Sequence, residues 1–374
     1  MPNLRTHSST RRARVLLAIV SMVASLAVAE VITRVFLPRP GFQTIPTQGQ
    51  IIPHPTRGFS YSPDFPGYTN ALGLRDDPIA PGETVDVLAV GDSFTVGAGV
   101  TMEEAWPAQL ESAINSASLV PRRIRVVNGG VAAYSLTQIR QLTEELAQQL
   151  KPKIVVAGVF PSRYWRLDDP YVYFHGMAIR KSETERIRVV DGGMIYTPFK
   201  TSWLKSIDFF SADHFYFGAH VLRVARSAAE TGARYVRSDS SQSSRADVEK
   251  LLQSLLVELE KLRELCAASN IQLVVMLINE QEEDGSIKAI EKQYNEVVES
   301  FCRDRGVTVV NPLPAFEELA RGKPVFRQAN DHHWSSQAHQ VAAKELLRVL
   351  TQKNILTNRS AIHPRSSAAK TAFP

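Results

Sequence analysis

The sequence predicts an α/β fold built on a doubly wound parallel sheet of about five strands with flanking helices. Short apolar runs, such as the one at residues 85–90, alternate along the chain with longer stretches of helical periodicity. Alternation of this kind indicates parallel strands joined by crossover helices. The chain has 374 residues, of which 44% are hydrophobic, so it has ample material for a domain with a sizeable core.

Five strands and five helices alternate over residues 83–352, which we take as the main domain. Each strand is a short apolar run that ends near a turn residue, and each helix carries apolar residues at the spacing of one helical face. The predicted strands are 85–90, 123–128, 154–160, 272–278 and 307–310, and the predicted helices are 103–116, 137–150, 246–268, 287–303 and 337–350.

A long irregular segment, residues 162–245, follows the third strand and is rich in aromatic residues. We expect a small hairpin near 191–193 and a helix near 220–229 within it. A connection of this length inside a domain usually serves a function. Because it leaves the carboxyl end of a strand, it is predicted to form a lid or a substrate wall. A satellite core filled by its aromatic side chains is the alternative.

The amino-terminal segment has the pattern of a membrane anchor. Residues 15–36 are apolar and follow the basic segment Arg11-Arg12-Ala13-Arg14, which ends a predicted cytoplasmic tail at residues 1–14. The apolar segment is long enough to span a bilayer, and the arginines place its start in the cytoplasm. We expect an uncleaved single-pass anchor. A cleaved signal peptide that ends at Ala27-Val28-Ala29 is the alternative, and in either case the main domain is exported.

Two further segments flank the main domain. Residues 37–82 are rich in proline, glycine, threonine and serine and predict a linker, and the polar residues 353–374 predict a disordered tail. The formal net charge of +5 is only mildly basic, and no basic stripe with interleaved aromatic residues is found, so nucleic-acid binding is not expected.

The chain contains two cysteines, Cys266 and Cys302. Neither their spacing nor their neighbours indicate a metal site or a thiol nucleophile. Both lie near the ends of predicted helices, where they either form one disulfide or remain two buried thiols. We expect neither a bound metal nor a cofactor.

Three residue types that support nucleophilic catalysis lie in two short motifs. The segment Gly91-Asp92-Ser93-Phe94 directly follows the first strand, and Asp331-His332-His333-Trp334 precedes the last helix. A serine at the carboxyl end of a strand lies where open α/β sheets bind their ligands. It becomes a nucleophile when a histidine removes its proton, and that histidine needs a carboxylate to orient it.

These motifs, together with the segment 128–135 (Asn-Gly-Gly-Val-Ala-Ala-Tyr-Ser) after the second strand, resemble those of the SGNH/GDSL hydrolases. The element Gly73-Leu74-Arg75 is similar to one found in the membrane-anchored bacterial subgroup, whose relatives include carbohydrate esterases, lipases and polysaccharide O-acetyltransferases. The resemblance covers roughly residues 70–350. It implies Ser93 as the nucleophile, His333 as the general base and Asp331 as the residue that orients the base.

The resemblance also implies an oxyanion hole, and here the sequence departs from the family. The backbone N–H of Ser93 is one expected donor. Ala133 stands where the family has a glycine, in a block opened by Gly130, and its N–H serves only if the turn does not require positive φ. Arg163 stands near the place of the family's asparagine donor. It either binds the oxyanion, binds an anionic substrate group or is a surface arginine. We expect Asp92 to fix the turn before the serine.

The function predicted from these motifs is that of a serine esterase or O-acyltransferase. Its substrate would be an ester, most simply acetyl, on an envelope or secreted glycan, and the anchor would hold the catalytic domain in the periplasm at the bacterial inner membrane. Hydrolase and transferase share the acyl-enzyme and are both left open. The alternatives are a catalytically impaired glycan-binding or assembly protein of the same fold and a membrane-associated lipid esterase.

Overall fold

The computed structural model describes residues 6–44, 49–237, 245–282, 286–320, 328 and 331–357. Of the two predicted tails, residues 1–5 and 358–374 lie outside these ranges. So does the segment 238–244, which belongs to the predicted insertion.

Helices account for most of the regular structure of the described residues. Their bounds are α1 (Thr6–Phe36), α2 (Ser93–Val96), α3 (Trp106–Ser116), α4 (Leu136–Leu150), α5 (Ser202–His214), α6 (Tyr216–Arg237), α7 (Arg245–Ala268), α8 (Ala289–Asp304), α9 (Leu313–Ala320) and α10 (Ser336–Gln352). Two 3-10 helices span Pro161–Leu167 and Lys181–Arg186.

The strands of the described residues are short and fall into four sheets. Their bounds are β1 (Phe42–Gln43), β2 (Ile51–His54), β3 (Gly58–Tyr61), β4 (Val87–Gly91), β5 (Val126–Gly130), β6 (Ile154–Val159), β7 (Tyr171–Phe174), β8 (Met177–Arg180), β9 (Ile187–Val190), β10 (Gly193–Tyr196), β11 (Gln272–Leu277) and β12 (Thr308–Val310).

The chain divides into two compact units. The anchor unit comprises Met1–Thr47 and Ser182–Ser241, and the sheet unit comprises Gln48–Lys181 and Gln242–Pro374. The insertion predicted at 162–245 is therefore shared between the two units.

The sheet unit contains a five-stranded sheet of order β12-β11-β6-β4-β5 in which every pair is parallel. This confirms the predicted fold class and the predicted number of strands. The strand predicted at 123–128 corresponds to β5, which begins at Val126, three residues later than predicted. Arg123 and Arg125, which were assigned to it, instead form ion pairs with Glu111 on α3.

Both faces of this sheet are covered by helices. Along β4, Leu88 and Val90 belong to one buried cluster, which includes residues of α4, α7 and α8. Val87 and Ala89 belong to a second buried cluster, which includes residues of α3, α9 and α10. Because successive side chains of a strand point to opposite faces, this division shows a doubly wound layer structure.

The segment predicted as a linker, residues 37–82, is not a linker over most of its length. Its strands β2 and β3 form an antiparallel hairpin within the sheet unit. Phe59 and Tyr61 of β3 are almost fully buried in the same cluster as Leu88. Their alternate spacing is that of a half-buried strand, but the prolines and glycines around them dominate the composition of the segment.

The anchor unit combines α1 with a small sheet and two helices of the insertion. Strands β1, β10 and β9 form an antiparallel sheet, and the hairpin β9–β10 turns at Gly192, close to the predicted position. Within the described ranges, one helix is long and apolar enough to cross a bilayer. It is α1, whose segment Ala13–Phe36 has a mean hydropathy of 2.5. A membrane span and a signal sequence share these features, so both interpretations of the segment stand.

Cys266 and Cys302 are buried free thiols, which matches the second of the two expectations for them. Burial raises the pKa of each thiol to about 12.

We predict that Gly130→Ala destabilises the sheet unit by about 1–3 kcal/mol, because it overpacks a rigid contact. A Cβ at Gly130 would lie 2.2 Å from the backbone nitrogen of Val96 in α2. The matched control is Gly82→Ala. That site has a φ of +80° and open space around it, so only a backbone cost of about 1 kcal/mol is expected there. Chemical unfolding measures both. Equal losses in the two variants would contradict the close contact at Gly130.

Candidate active site

The site lies where the strand order of the main sheet reverses. The chain passes from β4 to β5 on one side and then to β6 on the other side of β4. Crevices at the carboxyl ends of such strands are the usual ligand sites of open α/β sheets. Ser93 comes two residues after Gly91, the last residue of β4, and begins α2.

The turn that carries Ser93 is held by its own neighbours. Asp92 caps α2, and its Oδ1 accepts a hydrogen bond of 3.1 Å from the backbone N–H of Phe94, as the sequence predicts. A Cβ at Gly91 would lie only 2.0 Å from Oγ1 of Thr95. Glycine at position 91 therefore lets the short helix turn back onto the end of its strand.

Asp331 and His333 form the predicted pair. Nδ1 of His333 lies 2.9 Å from Oδ1 of Asp331, and the same oxygen accepts the backbone N–H of His333 at 3.2 Å. Partial burial alone would raise the pKa of the Asp331 carboxyl. The backbone N–H and the charge of His333 outweigh this effect and hold the pKa below its usual value. The pairing through Nδ1 leaves Nε2 of His333 as the nitrogen that can act as a base.

The loop that carries this pair packs against the serine turn. The ring centroids of Phe94 and His333 are 5.1 Å apart, and Phe94 also contacts Trp334. Nε2 of Gln328 donates to the carbonyls of Ala98, 2.7 Å away, and Trp334, 3.0 Å away. Gln328 thus ties the histidine loop to the segment that follows α2. No motif marks Gln328 in the sequence, so its role was not predicted.

The two other histidines near this loop have different environments. The His332 ring stacks on that of His333 with a centroid distance of 4.3 Å, and it is exposed at the rim. Burial and the charge of His333 lower its pKa. His339 on α10 is buried and accepts the backbone N–H of Trp106 at 3.3 Å. Burial lowers the pKa of His339 to about 3, so it is a neutral structural residue.

Asp331, His332 and His333 are the residues here that could bind a metal ion. One ligand atom from each lies within 4.8 Å of the others. Oδ1 of Asp331 already accepts two hydrogen bonds from His333. This arrangement is the one expected of a general base and the carboxylate that orients it.

Ala133 lies in a turn that does require positive φ. Its φ is +68°, and the turn is closed by a 3.3 Å hydrogen bond from the N–H of Tyr134 to the carbonyl of Val131. A glycine adopts this conformation without strain, whereas a Cβ makes it unfavourable. Ala133 can therefore present its N–H to an oxyanion only from a strained backbone conformation. The neighbouring Ala132 donates its N–H to the hydroxyl of Tyr61 at 3.0 Å, so β3 supports this turn.

Gly130 has a packing role in place of the predicted role as an oxyanion residue. Its N–H donates to Oδ1 of Asn128 at 3.0 Å, so this donor is already used. The close approach of α2 at Val96 leaves no room for a side chain at position 130.

Arg163 contacts an acidic residue and an aromatic ring at the edge of the site. Its guanidinium forms an ion pair with Glu280, which follows β11, and lies 5.1 Å from the ring centroid of Phe160. Glu280 also lies 3.7 Å from Nε2 of His332. Because the carboxylate of Glu280 holds the guanidinium, the prediction that Arg163 replaces the asparagine donor of the family is not supported by this geometry.

Arg166 is a buried residue that the sequence analysis missed. Its Nη1 donates to Oδ2 of Asp92 at 2.8 Å and approaches the carbonyl of Tyr134 at 3.4 Å. One guanidinium therefore links the turn of Ser93 to the turn of Ala133. No local sequence pattern distinguishes Arg166 from Arg163 in the same aromatic segment.

We predict that Ala133→Gly leaves the free energy of unfolding unchanged or raises it by up to about 1 kcal/mol, because the relief of backbone strain offsets the added freedom of the unfolded chain. Ala132→Gly is the matched control. This residue has a negative φ, so the substitution should cost about 0.4–1 kcal/mol. Chemical unfolding compares the two. An equal loss in both variants would show that position 133 carries no strain.

We predict that Arg166→Met destabilises the protein by about 3–5 kcal/mol, because it leaves the buried Asp92 carboxylate without its partner. The double variant Asp92→Asn/Arg166→Met should recover a large part of this loss, since the asparagine keeps an acceptor for Phe94 without the charge. Arg180→Met is the control, because Arg180 lies over the same Trp165 ring as Arg166 but is only half-buried. Strictly additive single losses in the unfolding free energy would rule out the coupling.

Comparison with known proteins gives matches among solved structures. No protein-family model and no curated protein matches the chain. A catalytic mutant of an acetylxylan esterase from Geobacillus stearothermophilus is 16% identical, with 73% of this chain and 96% of that one covered and a TM-score of 0.41. A member of the lipolytic protein G-D-S-L family from Veillonella parvula is 12% identical, with 72% and 100% covered and a TM-score of 0.38.

A third solved structure is the psychrotrophic esterase EstA from a Pseudoalteromonas species. It is 14% identical, with 73% of this chain and 99% of that chain covered and a TM-score of 0.38.

Proposed function

We propose that this chain is a serine esterase or O-acyltransferase of the SGNH/GDSL type. The proposal rests above all on one arrangement. The loop that holds the hydrogen-bonded pair Asp331–His333 packs, through the ring of His333, on Phe94, the residue next to Ser93. A serine after a strand, a histidine with one free ring nitrogen and a carboxylate on the other nitrogen are the components of a nucleophilic triad.

In the proposed reaction, Oγ of Ser93 attacks the ester carbonyl carbon while Nε2 of His333 takes the hydroxyl proton. The bond between the carbonyl carbon and the alcohol oxygen then breaks, and His333 returns the proton to the leaving alcohol. A water molecule or a second hydroxyl group attacks the acyl-enzyme in the same manner and regenerates Ser93. Asp331 stabilises the imidazolium that forms in both steps.

The backbone N–H of Ser93 is the first proposed donor to the oxyanion, and the N–H of Ala133, presented from a strained turn, is the second. Arg166 contributes indirectly, because it bonds to both turns that present these groups and limits their relative movement. We assign Arg163 to the rim, where its pair with Glu280 faces His332.

The proposed substrate is an acyl ester, most simply an acetyl ester, on an envelope or secreted glycan. The proposed location is the bacterial inner membrane, with α1 as an uncleaved anchor and the sheet unit in the periplasm. The apolar segment of α1 and the basic residues that precede it favour this topology. The aromatic residues of the insertion suit a sugar polymer, because flat rings stack on sugar faces, and their action as a lid or substrate wall remains a prediction.

A second candidate is a glycan-binding protein of the same fold with little or no turnover. The specific observations in its favour are the positive φ of Ala133 and the ion pair that holds Arg163. A hole with fewer or strained donors stabilises the oxyanion less, and loss of one donor costs on the order of a hundredfold or more in rate.

We predict that Ser93→Ala and His333→Ala each abolish turnover of p-nitrophenyl acetate by the detergent-solubilised full chain. Asp331→Asn should lower kcat by on the order of a thousandfold or more but leave a remnant, because the base is present in the wrong tautomer. His332→Ala is the matched control, since its ring lies at the rim, and should retain activity.

A serine-reactive fluorophosphonate separates the two candidates. Labelling of the wild type that is lost in Ser93→Ala supports the enzyme. A wild type that neither reacts with the probe nor turns over the ester, yet binds acetylated glycan, would leave the binding protein as the better account. If His332→Ala were inactive and His333→Ala active, the assignment of the base would be wrong by one residue.

A further inference from the structure

Helix α1 meets the body of the anchor unit only near its carboxyl end. Residues 15–28 are exposed and apolar except for two serines, whereas Ala29 and Glu30 are half-buried and Thr33 is buried. The apolar part of α1 is therefore available to a bilayer, and Glu30 marks the level at which the protein body begins.

A polar lock fastens α1 at this level to the connection between α5 and α6. The Glu30 carboxylate accepts the N–H groups of Tyr216 and Phe217, each at 2.9 Å, and pairs with Arg34 at 2.7 Å. Arg34 in turn donates to the carbonyl of His214 at 2.6 Å and lies over the Tyr216 ring. Both charges thus have partners, as charges near a lipid phase require.

The two insertion helices run away from this lock. Nε2 of His220 lies 3.2 Å from the carbonyl oxygen of Pro38, so α6 follows the chain as it leaves α1. Arg223 on α6 pairs with Asp208 on α5, so α5 runs antiparallel to α6. The connection between the two helices is therefore the part of this pair that lies nearest to the exposed segment of α1.

That connection exposes an aromatic cluster, which we call the aromatic junction and define as Phe210, His214 and Phe215. The Phe210 ring lies 4.5 Å from that of His214 and 6.0 Å from that of Phe215, centroid to centroid. Phe210 and Phe215 keep 56% and 54% of their surface exposed. Contiguous exposed aromatic rings of this kind indicate contact with a membrane or another apolar partner.

The length of α1 places the aromatic junction at a membrane surface. A helix that crosses the hydrocarbon core, about 30 Å thick, needs about 20 residues at 1.5 Å each. Counted from Arg14, the last charge before the apolar segment, about 20 residues reach Arg34. The lock between Glu30 and Arg34 then lies in the interfacial layer, together with the helix connection that it holds. Phenylalanine is among the apolar residues that interfacial helices bury in this layer.

We propose that the aromatic junction inserts into the interface of the bilayer that α1 spans, so that the anchor unit has two membrane contacts. One contact is the transmembrane segment, and the other is formed by Phe210, His214 and Phe215. The lock at Glu30 keeps the two contacts at a fixed distance from each other. This inference rests on the membrane anchoring proposed above and not on the esterase activity.

The test uses the full chain reconstituted in phosphatidylcholine–phosphatidylglycerol vesicles, with a nitroxide label on single cysteines. Phe215→Cys reports on the junction, Val23→Cys on the middle of α1, and Lys200→Cys on an exposed site before α5. The native cysteines are buried, and the unsubstituted chain controls for their labelling. The readout is the ratio of collisions with oxygen, which concentrates in lipid, to collisions with a water-soluble nickel chelate.

We expect the ratio at position 215 to lie closer to the value at position 23 than to that at position 200. A value at 215 equal to that at 200, with a lipid value at 23, would overturn the proposal and leave α1 as the only contact. A label at 215 shielded from both reagents would also overturn it, since a second copy of the chain would then cover the junction. A water-like value at 23 would refute the anchor itself. None of these readouts depends on turnover.

Discussion

The candidate site depends on how closely α2 approaches the ends of three strands. A Cβ at Gly91 or Gly158 would lie 2.0 or 2.5 Å from Oγ1 of Thr95, and one at Gly130 would lie 2.2 Å from the nitrogen of Val96. β4, β5 and β6 thus each contribute a glycine where the short helix crosses them. Without this approach Ser93 could not sit directly above the end of its own strand, and the histidine loop would have no surface beside the serine on which to pack.

A buried carboxylate is the second constraint on the site. Asp92 is buried beneath the serine turn, and a buried carboxylate needs a partner of opposite charge. Arg166 supplies it and extends the contact to the carbonyl of Tyr134. A similar logic applies at the rim, where Glu280 joins Arg163 to the neighbourhood of His332. Two arginines of the site are therefore each paired with a carboxylate, Arg166 with Asp92 beneath the serine turn and Arg163 with Glu280 at the rim.

The sheet and its helices were predictable because their signals are periodic. Apolar runs and amphipathic stretches mark all five strands of the main sheet and five of the helices around it, with shifts of up to three residues at the ends, but the shorter helices α2 and α9 were not predicted. The motifs around Ser93 and His333 were equally visible as local sequence. The residues that were missed, Arg166 and Gln328, act across the chain through contacts that have no local pattern. Residues 37–82 were misjudged because the two aromatics that pack β3 into the core are surrounded by turn-forming residues.

The two free thiols have a consequence for how such a chain would mature. Thiol–disulfide exchange proceeds through the thiolate, and at a pKa of about 12 only about one thiol in 10⁵ is ionised at neutral pH. Cys266 and Cys302 also lie beneath the surface, out of reach of an oxidising enzyme. If the sheet unit lies outside the cytoplasm, its folded state would therefore keep both thiols reduced, and no disulfide between them would contribute to its stability. Once folded, the sheet unit would then be chemically unchanged by the redox poise of its compartment.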